Sequence, residues 1–557
     1  MKNKETIDEI AKRQKEWEEK TLKPWQKKAP EREIYSKKPC KGFYSPVDRS
    51  EKSYLENIGF PGEYPYTRGL NPTEFRSRLW AMSGGMGFGT PEETNKLYKT
   101  MFAKGSNRFT TKIDLPCQVG MDPDHSMAHG EVGVIGTSIP SLREMEITLE
   151  GIPMSKAAIA GLIGQSASIS WSMVICVAKQ QGAPLNDLRF SIMSDCLNEY
   201  IARSMYIFPP EHSLRLSTDL TEYVFRNVPK TTFVMACGYP IAEAGATLTH
   251  AAALMLACSF TNIDRLLERG LPINDIARRT GFNIHVSMDF FQEIAKFRAL
   301  RRIWAKTMKE KYGVTDPKAM HFKFGPGTAG SLLTAQQPEN NIVRTTIAGM
   351  AAIFGGAHSL TVSGYDEALA IPTPKAAGIS LATQQILAHE TGIPDVVDPL
   401  GGSYYLECLT DQIEEEILDY LNEIEKQGGL MKAIESGWVR SEIARDSYTR
   451  QKEIDSGERK VVGVNMNVAE NEPEYEIHRA NPQVEKDMVR RVQELRQSRD
   501  NDAVKASLEK LGKAARTDEN LMPYIIEAVE SYATVEDIFK ELLEVFGKWD
   551  APFLTQI

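Results

Sequence analysis

Residues 232–258, TFVMACGYPIAEAGATLTHAAALMLAC, change character halfway. Thr232 to Cys237 is a short run of apolar and β-branched residues. After Gly238, small and aliphatic residues continue from Ile241 to Cys258, too long for one strand and well suited to a helix. This is one strand–loop–helix unit, and the chain repeats it. Comparable short apolar segments lie at Phe109–Ile113, Ala157–Gly161, Leu188–Ser194, Phe282–Val286, Met320–Phe324 and Ser359–Val362, with a weaker eighth at Asp395–Val397. Helical stretches such as Phe290–Tyr312 separate them. Such alternation predicts an α/β fold with a parallel sheet, and about eight repeats predict a closed (β/α)8 TIM barrel.

The flanks differ from this core. Residues 1–50 are expected to form an N-terminal arm. The first 39 residues carry 12 Lys/Arg against 8 Asp/Glu, with Ile7, Ile10 and Trp17 at near-helical spacing before an extended path through Pro24, Pro30 and Pro39. The arm reads either as a frayed basic terminus or as a segment that packs on a partner subunit. Residues 51–400 hold the barrel, and 401–557 a helical C-terminal region. There Ile413, Ile417, Leu418, Leu421 and Ile424 mark one helix face, and Ile538, Leu542, Leu543 and Phe546 another, read as core rather than as a partner site.

Composition narrows the function. A net charge of -9 in 557 residues gives no reason to expect nucleic acid, and no apolar run reaches membrane-spanning length. The first twenty residues are too charged for a signal peptide. Seven cysteines without a CxxC pair, and no histidine cluster, predict a reducing, cytoplasmic setting and no metal site built by this chain. Neither GxSxG, HExxH nor a P-loop is present.

One segment does read as a ligand site. Gly62–Thr90, GEYPYTRGLNPTEFRSRLWAMSGGMGFGT, gathers Tyr64, Tyr66, Arg68, Arg76 and Arg78 ahead of Gly84, Gly85, Gly87 and Gly89. Planar and cationic groups suit a phosphate- and ring-bearing ligand, and glycines let backbone approach it. YPYTRG, Arg-x-Arg-x-Trp and GFGTPEETN then recur in the order found in the adenosylcobalamin-dependent acyl-CoA mutases. The chain resembles the methylmalonyl-CoA mutase family through further ordered blocks: YIFPPEHSLR, GYPIAEAGA, EIAKFRALRRIW, NNIVRTTIAGMAAIFGGAHSL, YDEALAIPT, DPLGGSYYLECLTD and GERKVVGVN.

That resemblance implies a barrel whose axis admits the pantetheine arm of coenzyme A, and the small residues of Ala157–Ser170 fit such a channel. It implies radical carbon-skeleton isomerisation, in which adenosylcobalamin carries the hard chemistry and the protein binds the acyl-CoA and excludes water. No histidine here follows an Asp by two residues, so the DxHxxG cobalt-ligand motif is expected on a separate small cobalamin-binding subunit, in an αβ or α2β2 assembly.

Residue by residue, Arg203 matches the arginine that grips the substrate's free carboxylate, where mutases of uncharged acyl groups carry Gln. Tyr239 matches an active-site tyrosine. Tyr66, Thr73, Arg78 and Arg279 match the coenzyme A path. Leu115, Glu243, Gly330, Glu367 and Ala368 match the cobalamin and adenosyl face. Several positions depart from the family. Gly85 replaces a tyrosine beside the substrate, Pro240 a histidine near the thioester, and Met193 a glutamine. Gly325 and Gly327 replace two polar residues, and Lys112 stands where a small residue is usual. A kept carboxylate clamp with a widened, more apolar pocket predicts a substituted succinyl-CoA, aryl or alkyl, as substrate. The alternatives are an isobutyryl- or 2-hydroxyisobutyryl-CoA-type mutase, a methylmalonyl-CoA mutase, or a non-catalytic scaffold that binds coenzyme A esters.

Overall fold

The computed structural model describes residues 6–28, 41–49, 53–83, 89–103, 107–193, 195–471, 474–475, 477 and 481–552. Its centre is eight parallel strands: β1 (Ala81–Ser83), β2 (Arg108–Thr110), β3 (Ala158–Ala160), β4 (Arg189–Met193), β5 (Thr232–Cys237), β6 (Thr280–Val286), β7 (Phe324–Thr328) and β8 (Ser359–Thr361). They pair in the order β1-β8-β7-β6-β5-β4-β3-β2. The sheet curls so that β1 and β2, its two edges, come near one another, consistent with the expected (β/α)8 architecture.

Between those edges lies a short insert. Thr137 forms isolated parallel bridges to Gly89 on one side and Ile113 on the other. Its N–H donates to Lys112 O at 2.7 Å, and Asp114 N–H donates to Thr137 O at 3.0 Å. Gly136 makes this possible: at φ +100, a Cβ there would lie 2.7 Å from the Ile113 carbonyl.

The strand set differs from the sequence expectation in three places. β1 lies inside the segment read only as a ligand loop, because three residues ahead of a glycine run offer no legible alternation. The weak eighth segment at Asp395–Val397 is no strand; Ile393–Asp395 is a 3-10 turn, started by Pro394, which cannot donate to a ladder. Met320–Phe324 also shifts, since Pro317–Met320 is a 3-10 turn. β7 begins at Phe324 and continues through Gly325, Pro326 and Gly327, residues that strands disfavour and that only flanking ladders hold extended. The helix expected over Ile241–Cys258 is two helices, Gly238–Glu243 and Leu248–Glu268, parted at Gly245 with φ +109.

Alternation along the strands sorts side chains onto two faces. Phe109, Phe190, Phe282 and Phe324 point outward, against Tyr98, Trp171, Trp304 and Phe297 of the surrounding helices, at centroid distances of 4.6–5.0 Å. Each buried ring of this size contributes about 1.5–3 kcal/mol. The opposite parity faces inward: Thr110, Ala160, Ser191 and Thr232 lie in register across β2–β5, and Gly327 pairs with Thr361 across β7–β8. Ordinary barrels fill this space with bulky branched residues; here it is walled by small ones.

The C-terminal helices clamp the outside. Arg298, on the helix Phe290–Glu310, is fully buried and pairs with both carboxylate oxygens of Asp398 at 2.6–2.7 Å and with Glu407. Arg68 donates to Asp398 Oδ2 at 2.9 Å, so it braces this network rather than facing a ligand. In the helix Tyr404–Lys426, Ile413, Ile417 and Ile424 are buried, whereas Leu418 is exposed and lies off the expected stripe. Ile538, Leu542 and Phe546 are core as expected, and the ring of Phe539 stacks on Phe208 at 5.1 Å. At the other terminus, helix extends from Ile7 through a π turn at Glu18–Leu22 to Lys28. Pro24 is therefore helical, two residues past the π turn, rather than part of an extended path; Pro30 and Pro39 fall outside the described residues.

Candidate active site

The expected site residues separate onto the two ends of the barrel. At the end where strands begin, Arg78 and Thr73 are exposed just before β1, and Thr73 Oγ1 lies 2.5 Å from Ser77 Oγ. Arg279 immediately precedes β6, where its guanidinium covers the Phe225 ring at 4.4 Å and donates to Phe225 O. Tyr66 is buried; its hydroxyl donates to Pro317 O at 3.2 Å, and its carbonyl accepts from Arg301 at 2.9 Å. Two more arginines, Arg108 and Arg189, stand exposed at the first residues of β2 and β4. Sequence reasoning passed over them, although a cation at a strand's first residue was the available signal.

At the opposite end, Arg203 closes a π turn, Glu199–Arg203, that follows β4 and ends at Ser204 with φ +55. Its guanidinium donates to Glu199 Oε1 at 2.7 Å, to Gln118 Oε1 at 2.8 Å and to Met205 Sδ at 3.2 Å. Burial pushes the Glu199 carboxyl up to about 7 against the opposing pull of Arg203. None of these three partners of Arg203 was expected from the sequence; the i,i+4 spacing of Glu199 was the one clue.

Tyr239, Glu243, Gly330 and Glu367 converge beyond β5, β7 and β8. Gly330 N–H donates to Tyr239 Oη at 3.1 Å, and Ser331 N–H to Glu243 Oε2 at 2.8 Å. A Cβ on Gly330 would meet Glu243 Oε2 at 3.3 Å, Tyr239 Oη at 3.5 Å and Glu367 Oε1 at 3.8 Å. Burial raises both carboxyls above their usual range, Glu243 further through the charge of Glu367. Leu115 directly follows Asp114, whose buried side chain caps Leu115–Gln118, and Ala368, which directly follows Glu367, is exposed.

The lumen between the two ends carries Met193 at the end of β4 and Lys112 two residues past Thr110, with Pro240 beyond β5. A Cβ on Gly327 would reach the Tyr239 ring at 3.1 Å, and one on Gly325 would collide with Ser359. Two unexpected polar groups share the wall, since Cys237 pairs with Asn283 across β5–β6 and its Sγ lies 3.6 Å from Asn283 Oδ1. The wall is thus more polar than Met193 and Pro240 alone implied. Gly85 lies outside the described residues.

The methylmalonyl-CoA mutase family model matches residues 33–548. The chain belongs to the methylmalonyl-CoA mutase family. It is 40% identical over 541 residues to the 2-hydroxyisobutanoyl-CoA mutase large subunit of Aquincola tertiaricarbonis, covering 96% of each chain. It is 35% identical over 513 residues to the methylmalonyl-CoA mutase of Rhizobium meliloti (strain 1021), covering 92% of this chain and 72% of that one. Against the human mitochondrial methylmalonyl-CoA mutase it is 36% identical over 493 residues, 88% of this chain and 66% of the relative. It is accordingly an isomerase of the acyl-CoA mutase class. The methylmalonyl-CoA mutase family is generally B12-dependent, and the mouth of this barrel fits such a cofactor: two carboxylates and a phenol hydroxyl surround a glycine that keeps the space open, an acceptor-rich set matched to ribose hydroxyls. Among the described residues, no helix is long and apolar enough to cross a membrane.

Proposed function

We propose that this chain is the acyl-CoA-binding subunit of a coenzyme B12-dependent mutase. Its substrate is a succinyl-CoA bearing an aryl or alkyl substituent, interconverted with the corresponding substituted-methyl malonyl-CoA. The reading rests on Arg203, a half-buried guanidinium beyond a lumen walled by small residues, Thr110, Ala160, Ser191 and Gly327. A planar guanidinium suits a carboxylate, and the small residues around it admit a substituent.

Each part then has a task. Arg78, Arg279, Thr73 and Tyr66 hold the nucleotide end of coenzyme A at the strand N-termini, and the small-walled lumen takes the pantetheine arm. Arg203 orients the acyl carboxylate at the far mouth, where Tyr239 donates to polar groups of the reacting acyl portion. Glu243 and Glu367 accept hydroxyls of adenosylcobalamin, with Gly330, Leu115 and Ala368 shaping its seat. When bound, that cofactor supplies the carbon radical that initiates rearrangement. The enclosed lumen keeps water from reactive species. A separate small subunit with the DxHxxG motif supplies the cobalt ligand in an αβ or α2β2 heteromer, and the N-terminal arm, with Trp25 exposed, packs on a partner subunit. The assembly is cytoplasmic.

A 2-hydroxyisobutanoyl-type substrate is the second reading, favoured by the end-to-end match to that mutase's large subunit. The test is turnover of succinyl-, phenylsuccinyl-, alkylsuccinyl-, isobutyryl- and 2-hydroxyisobutyryl-CoA with adenosylcobalamin and the co-encoded cobalamin subunit, isomers being resolved by mass. Preference for a substituted succinyl-CoA supports the first reading, and turnover of uncharged esters alone overturns it. No turnover of any ester, despite bound cofactor, points to a scaffold.

A further inference from the structure

Lys112 is an unexplained charge inside the barrel. Phe109 packs outward on Tyr98, and Thr111 Oγ1 meets Tyr98 Oη at 2.7 Å. The opposite parity, Thr110 and then Lys112, therefore faces the lumen. Thr110 is level with Ala160 and Ser191, so Lys112 and Met193, each two residues further on, occupy the next layer toward Arg203. The backbone there is pinned, because Lys112 O accepts the Thr137 N–H in the seam between β1 and β2.

The side chain is not similarly satisfied. Among the described residues its ammonium has no hydrogen-bond or ion-pair partner; it feels Glu367 only at longer range, and Arg203 as a repelling like charge. Arg203 already has Glu199 and Gln118. An inward cation with no direct counter-ion and a second cation already half-neutralised leave this layer short of negative charge. Burial pulls the Lys112 ammonium below its usual range, which a bound anion would reverse.

We propose that Lys112 contacts the free carboxylate of the acyl group, which is held between the Lys112 ammonium and the remaining donors of Arg203. This rests on the mutase reading above and assigns to the specificity of that site a residue on a different strand. It also makes an uncharged acyl-CoA a poor ligand, since it would leave the Lys112 ammonium without a counter-ion.

The experiment is calorimetric binding to the full chain of two size-matched pairs, succinyl-CoA against butyryl-CoA and methylmalonyl-CoA against isobutyryl-CoA. The proteins are wild type, Lys112→Met and Lys112→Gln, each checked for a wild-type thermal transition. The expected result is a ten- to hundredfold loss of affinity for the carboxylated esters and less than threefold for the uncharged ones, with Lys112→Arg restoring part of the selectivity. Equal losses for both members of a pair, or no loss for either, overturns the proposal. If Lys112→Met fails to fold, Lys112→Gln, which keeps length and polarity, gives the same readout. Binding needs no turnover, so failure of a substituted succinyl-CoA to isomerise would refute the substrate reading while leaving this result standing.

Discussion

Arg203 donates to Glu199 Oε1 at 2.7 Å, so the guanidinium proposed to hold the substrate is already paired with a carboxyl of its own chain. Any incoming carboxylate competes with that bond. Glu199 Oε2 is buried and has no hydrogen-bond partner among the described groups, which adds to the desolvation that lifts this carboxyl to about 7.

A pH dependence follows. Above about 7 Glu199 is ionised and occupies Arg203; below it, Glu199 is protonated and competes less, while a substrate carboxylate of ordinary acidity stays ionised. Affinity for succinyl-CoA should rise about tenfold between pH 8 and pH 6, following the protonated fraction of a group titrating near 7. Glu199→Gln should flatten that rise. Calorimetry at both pH values checks it, and an unchanged slope in the variant would remove Glu199 from the account.

Replacing Arg203 with Gln should cost about 2 kcal/mol, roughly thirtyfold, in binding a carboxylated ester and little for an uncharged one. Equilibrium binding of the two esters is the measure. Equal losses would contradict the clamp.

Filling the lumen should weaken binding far more than folding. Gly327→Val adds a β-branched side chain to β7 where a Cβ would already touch the Tyr239 ring at 3.1 Å. The variant should lower the thermal transition by the cost of displacing that ring and lose at least tenfold in affinity for acyl-CoA while remaining folded. Retained affinity would mean that the ligand takes another path.

Arg298→Met should act only on stability. Removing this guanidinium leaves Glu407 buried without its cation and Asp398 with Arg68 alone. The expected loss is about 3–5 kcal/mol, read as a lowered urea midpoint. Adding Asp398→Asn and Glu407→Gln should recover part of it.

Much of this arrangement was legible in the sequence because strand alternation is a local signal: Phe109, Phe190 and Phe282 announce an outer face whatever surrounds them. Ala81–Ser83 was not legible, being three residues recruited by Ser359–Thr361 from more than 270 positions away. Met320–Phe324 and Asp395–Val397 read as strands through their apolar residues, and only the turns Pro317–Met320 and Ile393–Asp395 shift the one and remove the other. At the site, matching placed Arg203, Tyr239, Glu243 and Gly330 where strands end. It could not reveal that Arg203 is shared with Gln118 from the β2 side, because that contact depends on how two loops meet across the barrel. Arg68 shows the converse: its composition suggested a ligand, but its partner is Asp398, 330 residues later.

The small-walled lumen has a consequence for folding as well as for access. In most barrels the interior side chains are the glue of the sheet; here Ala160, Ser191, Gly327 and Thr361 offer one another little to hold. The guest molecule then serves as a removable piece of the hydrophobic core. An acyl-CoA at a hundred times its dissociation constant would raise stability by about 2.7 kcal/mol, so a melting curve alone can report whether the channel is full.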